Sequence, residues 1–305
     1  MSREVMRQLP AGDEIFLDHV AHFVRDAEAA SRALQRAGFA PTPISIQANG
    51  SSSGGFTPTG TGNITAMFRR GYTEVLFKTA DTPLTREFDA ALARHAGLHL
   101  AAFSVADAAK ARTRLATAGF AVRDLVNMQR PVGTATGNDT AAFTIARVEP
   151  GMMPEGRIQM LTHNTEAAVW QPRWLSHPNS VSDLIDVVIA VADVEETASR
   201  FARFTGRAAA PTPGGALIRL DRGGVYLLTY DRAAEKLPEV PVTALPFMIG
   251  YALGVQSLAV AEAVVERADL DWRAFDDGIV AIFPAELGEG AWFFVEQPSN
   301  LPWRH

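Results

Sequence analysis

The sequence predicts an α+β fold of four tandem βαβββ modules paired into two halves. Three observations carry that prediction. A strand ending in a Val-x-Asp-like step and running straight into an amphipathic helix occurs four times; short strand-like runs cut by Gly, Asp or Pro follow each helix; and the copies are spaced as a tandem series requires.

The first module opens with FLDHVAHFVRDAEAASRALQRAGF, where Asp26 is placed to cap the helix and Ala29, Leu34 and Phe39 lie toward one side. Its strand-like runs are TPISIQA, NITAMFR and YTEVLF. A separate helix over about residues 85–97, TREFDAALARHAG, links it to the second module. There LHLAAFSVADAAKARTRLATAGF repeats the step with Asp107 at the cap, and TAAFTIARV and RIQMLTH supply the last two strands. The third copy, LIDVVIAVADVEETASRFARFTG, is capped by Asp193 and followed by ALIRLD and VYLLTY. The weakest, YALGVQSLAVAEAVVERADL, has Ser257 at the cap and is followed by IVAIFP and AWFFVE. Modules one and two make an N-terminal half over residues 1–163, residues 164–180 form a linker, and modules three and four make a C-terminal half over residues 181–305.

Composition narrows the chemistry. The chain has 305 residues, 47% hydrophobic and 20% charged, enough for two sizeable cores. It has no cysteine, which excludes disulfides, thiolate metal sites, iron–sulfur clusters and cysteine nucleophiles together. A net charge of −6 argues against nucleic acid or an anionic membrane as partner. No apolar run approaches the ~20 residues that span a bilayer, and the opening MSREVMRQLP lacks a signal's apolar core, so a cytoplasmic location is expected. The expected partner is a small molecule, and a homodimer is left open. The run NGSSSGGFTPTG, residues 49–60, has too much Gly to be stiff and reads as a mobile loop over a binding mouth. It matches neither GxxxxGKS/T nor GxGxxG, so no nucleotide cofactor is expected.

Four local matches carry a family resemblance: DHV at Asp18-His19-Val20, GTGN from Gly60 to Asn63, YTEVL from Tyr72 to Leu76, and GRIQMLTH followed by VWQPRWLSHPN through Asn179. With the fourfold βαβββ order, the chain resembles the vicinal oxygen chelate superfamily and, within it, the glyoxalase-like domain proteins. The resemblance implies an open, cup-shaped β barrel from each pair of modules, with metal ligands on the first and last strands of a module. Strand alternation sets His19 on one face with Leu17, Ala21 and Phe23, and Glu74 on one face with Tyr72 and Leu76.

His19 and Glu74 thus stand at the family's ligand positions, and Gln159 stands opposite Glu74 in the second module. The resemblance implies a divalent metal (Zn, Mn, Ni or Fe) on His19, Glu74 and Gln159, with a lyase or isomerase acting on a small oxygenated substrate. Glu74 is the candidate base, and His163, at the rim of the cup, the alternative one. Asn63, Tyr72 and Trp170 are candidate substrate contacts, while Trp170, Trp174 and His177 are read chiefly as packing the halves together. The C-terminal half offers Asp186 and Gly250 with Tyr226, Trp292 and Phe293, which cannot supply the two-His, one-carboxylate set of a ring-cleaving dioxygenase. A metal-free protein sequestering a small molecule in one of the cups is the rival reading.

Overall fold

In the computed structural model, which describes residues 7–50 and 56–304, β1 (Ile15–Val24) leads into α1 (Ala27–Arg36), β2 (Ser45–Gly50), β3 (Phe56–Met67) and β4 (Tyr72–Lys78). After α2 (Pro83–Arg94) come β5 (Gly97–Val105), α3 (Ala108–Thr117), β6 (Val126–Thr134), β7 (Gly137–Arg147) and β8 (Arg157–His163). The short α4 (Glu166–Val169) precedes β9 (Val181–Val191), α5 (Val194–Thr205), β10 (Ala209–Thr212), β11 (Gly215–Arg219) and β12 (Gly224–Thr229). The chain ends with α6 (Tyr230–Lys236), β13 (Phe247–Val255), α7 (Leu258–Arg267), β14 (Trp272–Phe275), β15 (Gly278–Ile282) and β16 (Ala291–Val295).

Side-chain caps start the recurring helices. Asp26, Asp107, Asp193 and Ser257 accept from the backbone N–H of Ala29, Ala109, Glu196 and Val260 respectively, satisfying donors that the first turn leaves free. The linking helix α2 begins two residues earlier than the sequence suggests, because Thr82 and Thr85 form a reciprocal capping pair around Pro83.

The first eight strands close on themselves in the order β1-β4-β3-β2-β6-β7-β8-β5, with β5 pairing back onto β1. The expected open cup is corrected here to a closed barrel. Its seams are the β1–β5 antiparallel pairing, from Ile15 opposite Val105 to Phe23 opposite Gly97, and the β2–β6 pairing of Ala48 with Gln129 and Asn49 with Met128. The remaining strands run β10-β11-β12-β9-β13-β16-β15-β14 and stay open, β10 and β14 each having one neighbour among the described residues. The two sheets touch where Leu98 of β5 pairs with Met248 of β13. At the same seam Gly97, with φ +136°, lies so close to the other half that a Cβ there would come within 2.7 Å of the Glu289 carbonyl oxygen.

Each barrel has its own lining, and a third core joins them. Ala21, Phe23, Tyr72, Leu76, Leu100, Phe143 and Leu161 fill the first barrel, whose end is covered by Phe88 and Leu92 of α2. Ile185, Val188, Tyr226, Ile249 and Phe293 line the second, which is plugged by Leu301 and Trp303 from the chain's C-terminal segment. The outer faces of both sheets and the buried sides of α1, α3, α5 and α7 form one continuous core, in which Phe103 meets Phe204 and Phe39 meets Trp292.

Three sequence expectations change. A register shift in β1 between Leu17 and His19 breaks the alternation, so Leu17 turns outward into the shared core while Ala21 and Phe23 line the barrel. Residues 49–50 and 56–60 belong to β2 and β3 rather than to a loop, and residues 51–55 of that expected loop lie outside the described residues. Trp170 and Trp174 pack with the first barrel's lining, and His177 donates to the Met67 carbonyl at the end of β3, so this segment closes the first barrel more than it joins the halves. No helix among the described residues is long and apolar enough to cross a membrane.

Candidate functional site

Inside the first barrel the apolar lining is interrupted by two hydrogen-bonded polar groups of side chains that face each other. The irregularity in β1 lets the adjacent Asp18 and His19 both reach buried partners. His163 on β8 donates from Nε2 to Asp18 Oδ1 at 2.8 Å, and His19 donates from Nδ1 to Asp18 Oδ2 at 2.7 Å. His19 Nε2 then faces Glu74 Oε2 at 3.7 Å, beyond hydrogen-bond distance. Asn63 Nδ2 donates to Glu74 Oε1 at 2.6 Å, joined by Gln47 Nε2 at 3.3 Å, and Thr61 holds the Gln47 oxygen at 2.7 Å.

The electrostatics follow from burial. Asp18 is fully buried, which alone would raise its carboxyl, yet the charge and hydrogen bonds of His163 and His19 hold it well below the usual carboxylate range. The Tyr72 ring stacks on His19 with centroids 4.4 Å apart, and burial, then the charges of Asp18 and Glu74, push its hydroxyl well above its ordinary value.

A narrow cavity of about 30 Å³, room for roughly two waters, is lined by His19, Asn63, Tyr72, Glu74 and Gln159 against Leu100, Met128 and Phe143. The structure therefore brings His19, Glu74, Gln159, Asn63 and Tyr72 together. Two candidates lie elsewhere. His163 is buried behind Asp18 rather than at the rim, packed edge-on to Phe143 and Trp170. Trp170, outside the cavity wall, packs edge-on to Tyr72 as well.

Four residues were missed from the sequence: Asp18, Arg130, Arg147 and Arg157. The alternation rule turned Asp18 away from the barrel interior, and only the irregularity in β1 lets it reach His163 and His19 there. The arginines stand on β6, β7 and β8 and line the same cavity. Arg157 had a legible signal, since it is two residues from Gln159 on one strand and so shares its face.

The donors were tested against a divalent metal. The 3.7 Å between His19 Nε2 and Glu74 Oε2 suits two ligands each bonded at about 2 Å. The third member of the implied set, Gln159 Oε1, instead accepts from Arg147 Nε at 2.9 Å. Arg130, Arg147 and Arg157 share the cavity, so a dication would meet three guanidiniums against the single carboxylate of Glu74. No group of three His, Cys, Asp or Glu converges among the described residues. As a set, these donors do not fit a resident divalent metal.

The second barrel is closed to such chemistry in another way. Asp186, the one carboxylate at a ligand position of the C-terminal half, is fully buried; it accepts from Trp303 Nε1 and Arg304 Nε, each at 2.8 Å. Trp303 stacks on Tyr226 with centroids 4.7 Å apart, and Trp292 turns to the shared core, so the expected apolar binding lining is occupied by the chain itself.

Comparison with known proteins gives one family match, to the glyoxalase-like domain, over residues 17–205. No curated protein matches the chain. Among solved structures, a hypothetical protein from Staphylococcus aureus is similar with a TM-score of 0.62 at 9% identity, covering 92% of this chain and 98% of that one. A mutant 4-hydroxymandelate synthase from Streptomyces coelicolor gives 0.58 at 14% identity, covering 95% and 96%. A fusion of a xylose isomerase-like TIM barrel with 4-hydroxyphenylpyruvate dioxygenase gives 0.52 at 11% identity, covering 96% of this chain and 51% of that one. At these identities the likeness shows the fold alone.

Proposed function

The chain belongs to the glyoxalase-like domain family, and within that family we propose that it is a lyase or isomerase moving a proton on a small oxygenated molecule held in the first barrel. In this reading two glyoxalase-like halves, residues 1–163 and 181–305, each consist of two βαβββ modules, with residues 164–180 between them. The first half is the working one. The activity is cytoplasmic, its partner is a small molecule, and a homodimer is left open.

The buried His163–Asp18–His19 chain facing Glu74 carries the reading. With Nδ1–H given to Asp18, His19 presents the Nε2 lone pair to the cavity, the arrangement of an oriented general base. The base takes a proton from a carbon beside a carbonyl, the C–H pair forms the new C=C bond, and the carbonyl pair moves to oxygen. Arg130 stabilises that oxyanion in a site shielded from water. Where the first carbon also bears a hydroxyl, passing that hydroxyl's proton to the oxyanion and returning the abstracted proton to the former carbonyl carbon gives an isomer. Where the carbon on its other side bears a leaving group, the oxyanion pair re-forms the carbonyl, the C=C pair shifts toward that carbon and the group departs with its bonding pair, giving a lyase product. Glu74 is the second proton carrier, and His163 orients Asp18.

Solvent-deuterium exchange into hydroxyacetone, glycolaldehyde and pyruvate, followed by NMR, tests the reading. The parent protein is expected to exchange at least one of them, His19→Gln to lose that activity, and Asp18→Asn to lose roughly 10²–10⁴-fold in kcat through misorientation of the imidazole. Equal exchange by the parent and His19→Gln would overturn it. The 3.7 Å between His19 and Glu74 favours a second reading, with a divalent ion on this pair. Elemental analysis separates the two: the first expects well under one metal per chain and activity unchanged by chelator, the second a stoichiometric metal whose removal abolishes activity.

A further inference from the structure

A surface pocket of about 400 Å³ opens beside the first barrel, lined by Arg94, Arg123, Arg147 and Arg157 together with Glu87 and Glu149. Arg147 and Arg157 also line the inner cavity with His19 and Glu74, so these two side chains form the partition between the two spaces. Their placement follows from the sheet. Arg157 lies two residues before Gln159 on β8, and Arg147 lies directly opposite Gln159 on β7, which turns all three to one face.

The positive charge here is largely uncompensated. Arg147 donates to the neutral Gln159 and has no carboxylate within ion-pair distance among the described residues. The nearest carboxylate oxygen to Arg157 is that of Glu87 at 3.9 Å, and the same Glu87 binds Arg123 at 2.8 Å. Arg130 is 7% exposed and has neither an ion pair nor a side-chain hydrogen bond among the described residues. Burial, with repulsion from Arg157 next, lowers Arg147 to about 9, which still leaves it charged at neutral pH. A buried charge without a counter-ion is unfavourable, and an anion between these guanidiniums removes that cost.

We propose that the substrate carries a carboxylate, that it enters through the outer pocket, and that Arg147 and Arg157 hold its carboxylate at the partition while its carbonyl end reaches the cavity beside His19. Planar guanidiniums match a carboxylate's two oxygens, and neither space is lined by a lysine. The orientation of the substrate rests on the catalytic reading of His19, whereas the capture of the anion does not.

Calorimetry with levulinate, which has a carboxylate and a separate ketone, and with its neutral partner levulinamide tests the capture directly. Levulinate is expected to bind at least tenfold tighter than levulinamide and to weaken with added salt. Arg147→Gln and Arg157→Gln are each expected to weaken levulinate at least tenfold and leave levulinamide unchanged. In the ligand-free protein Arg147→Gln should melt at or above the parent temperature, because it removes a partly buried charge that has no carboxylate within ion-pair distance among the described residues. Equal binding of acid and amide would overturn the proposal, as would variants that melt lower yet bind levulinate normally, since the arginines would then serve the fold. Tighter binding of methyl phosphate than of levulinate overturns the assigned class. Levulinate binding that survives in His19→Gln, without exchange activity, supports anion capture and bears separately on the catalytic reading.

Discussion

Asp18 shows why a site can be half visible in a sequence. His19 and Glu74 were legible because each sits on a strand whose alternation reads correctly at that position. Asp18 was not, because one irregular step in β1 puts two adjacent side chains to polar use. The arginines were hidden for another reason: a charged residue on a strand ordinarily means a solvated face, and only closure of the barrel turns Arg130 inward.

Histidines elsewhere set a pH dependence. Burial lowers His22 to about 4, against the pull of its bond to the Leu287 carbonyl, and lowers His95 to about 4 and His99 to about 3. The unfolded chain takes up these protons near pH 6.5, whereas the folded chain resists them until about pH 4. Stability from these groups is therefore complete above about pH 6.5 and is lost as pH falls toward 4, at a slope of up to about 3 kcal/mol per pH unit from the buried His22 and His99, the half-exposed His95 adding little. Urea midpoints measured across pH 7.5 to 4 are expected to decline through that window, and His22→Gln is expected to flatten the decline.

The helices were the most readable elements, since a capping side chain and an apolar stripe mark each of the recurring ones. Strands β6, β10 and β14 were not found. β6 carries Pro131 and a mostly half-exposed pattern, while β10 and β14 are four residues long, too short to establish a period. The C-terminal plug also escaped notice, because nothing in LPWRH announces that Trp303 and Arg304 meet Tyr226 and Asp186 more than seventy residues away. Deleting residues 301–305 exposes the lining of the second barrel and leaves Asp186 buried without its cation. The truncated protein is expected to bind the dye ANS and to melt on the order of 10 °C lower, while exchange activity in the first barrel persists. A truncated protein with an unchanged melting temperature would show that the plug contributes little.

The two halves share the core between their sheets, so neither buries its outer face alone. Arg114 of α3 reinforces the junction by donating to the carbonyls of Arg203 and Phe204 at the end of α5. Differential scanning calorimetry is expected to give one transition, with calorimetric and van't Hoff enthalpies that agree, whereas independent halves would give two. The continuity of this core was hidden in the sequence, because a repeated module shows which face is apolar but not which neighbour covers it. Barrel closure has one more consequence, for solubility. Among the described residues each of β1 to β8 has a partner on both sides, so the half that carries the site offers little free strand edge on which a second chain could add. Among the described residues the strands with a single neighbour are β10 and β14, both only four residues long, and β10 is interrupted by Pro211. Fibril growth by edge addition thus has little to begin from, and what there is lies away from the barrel that holds His19.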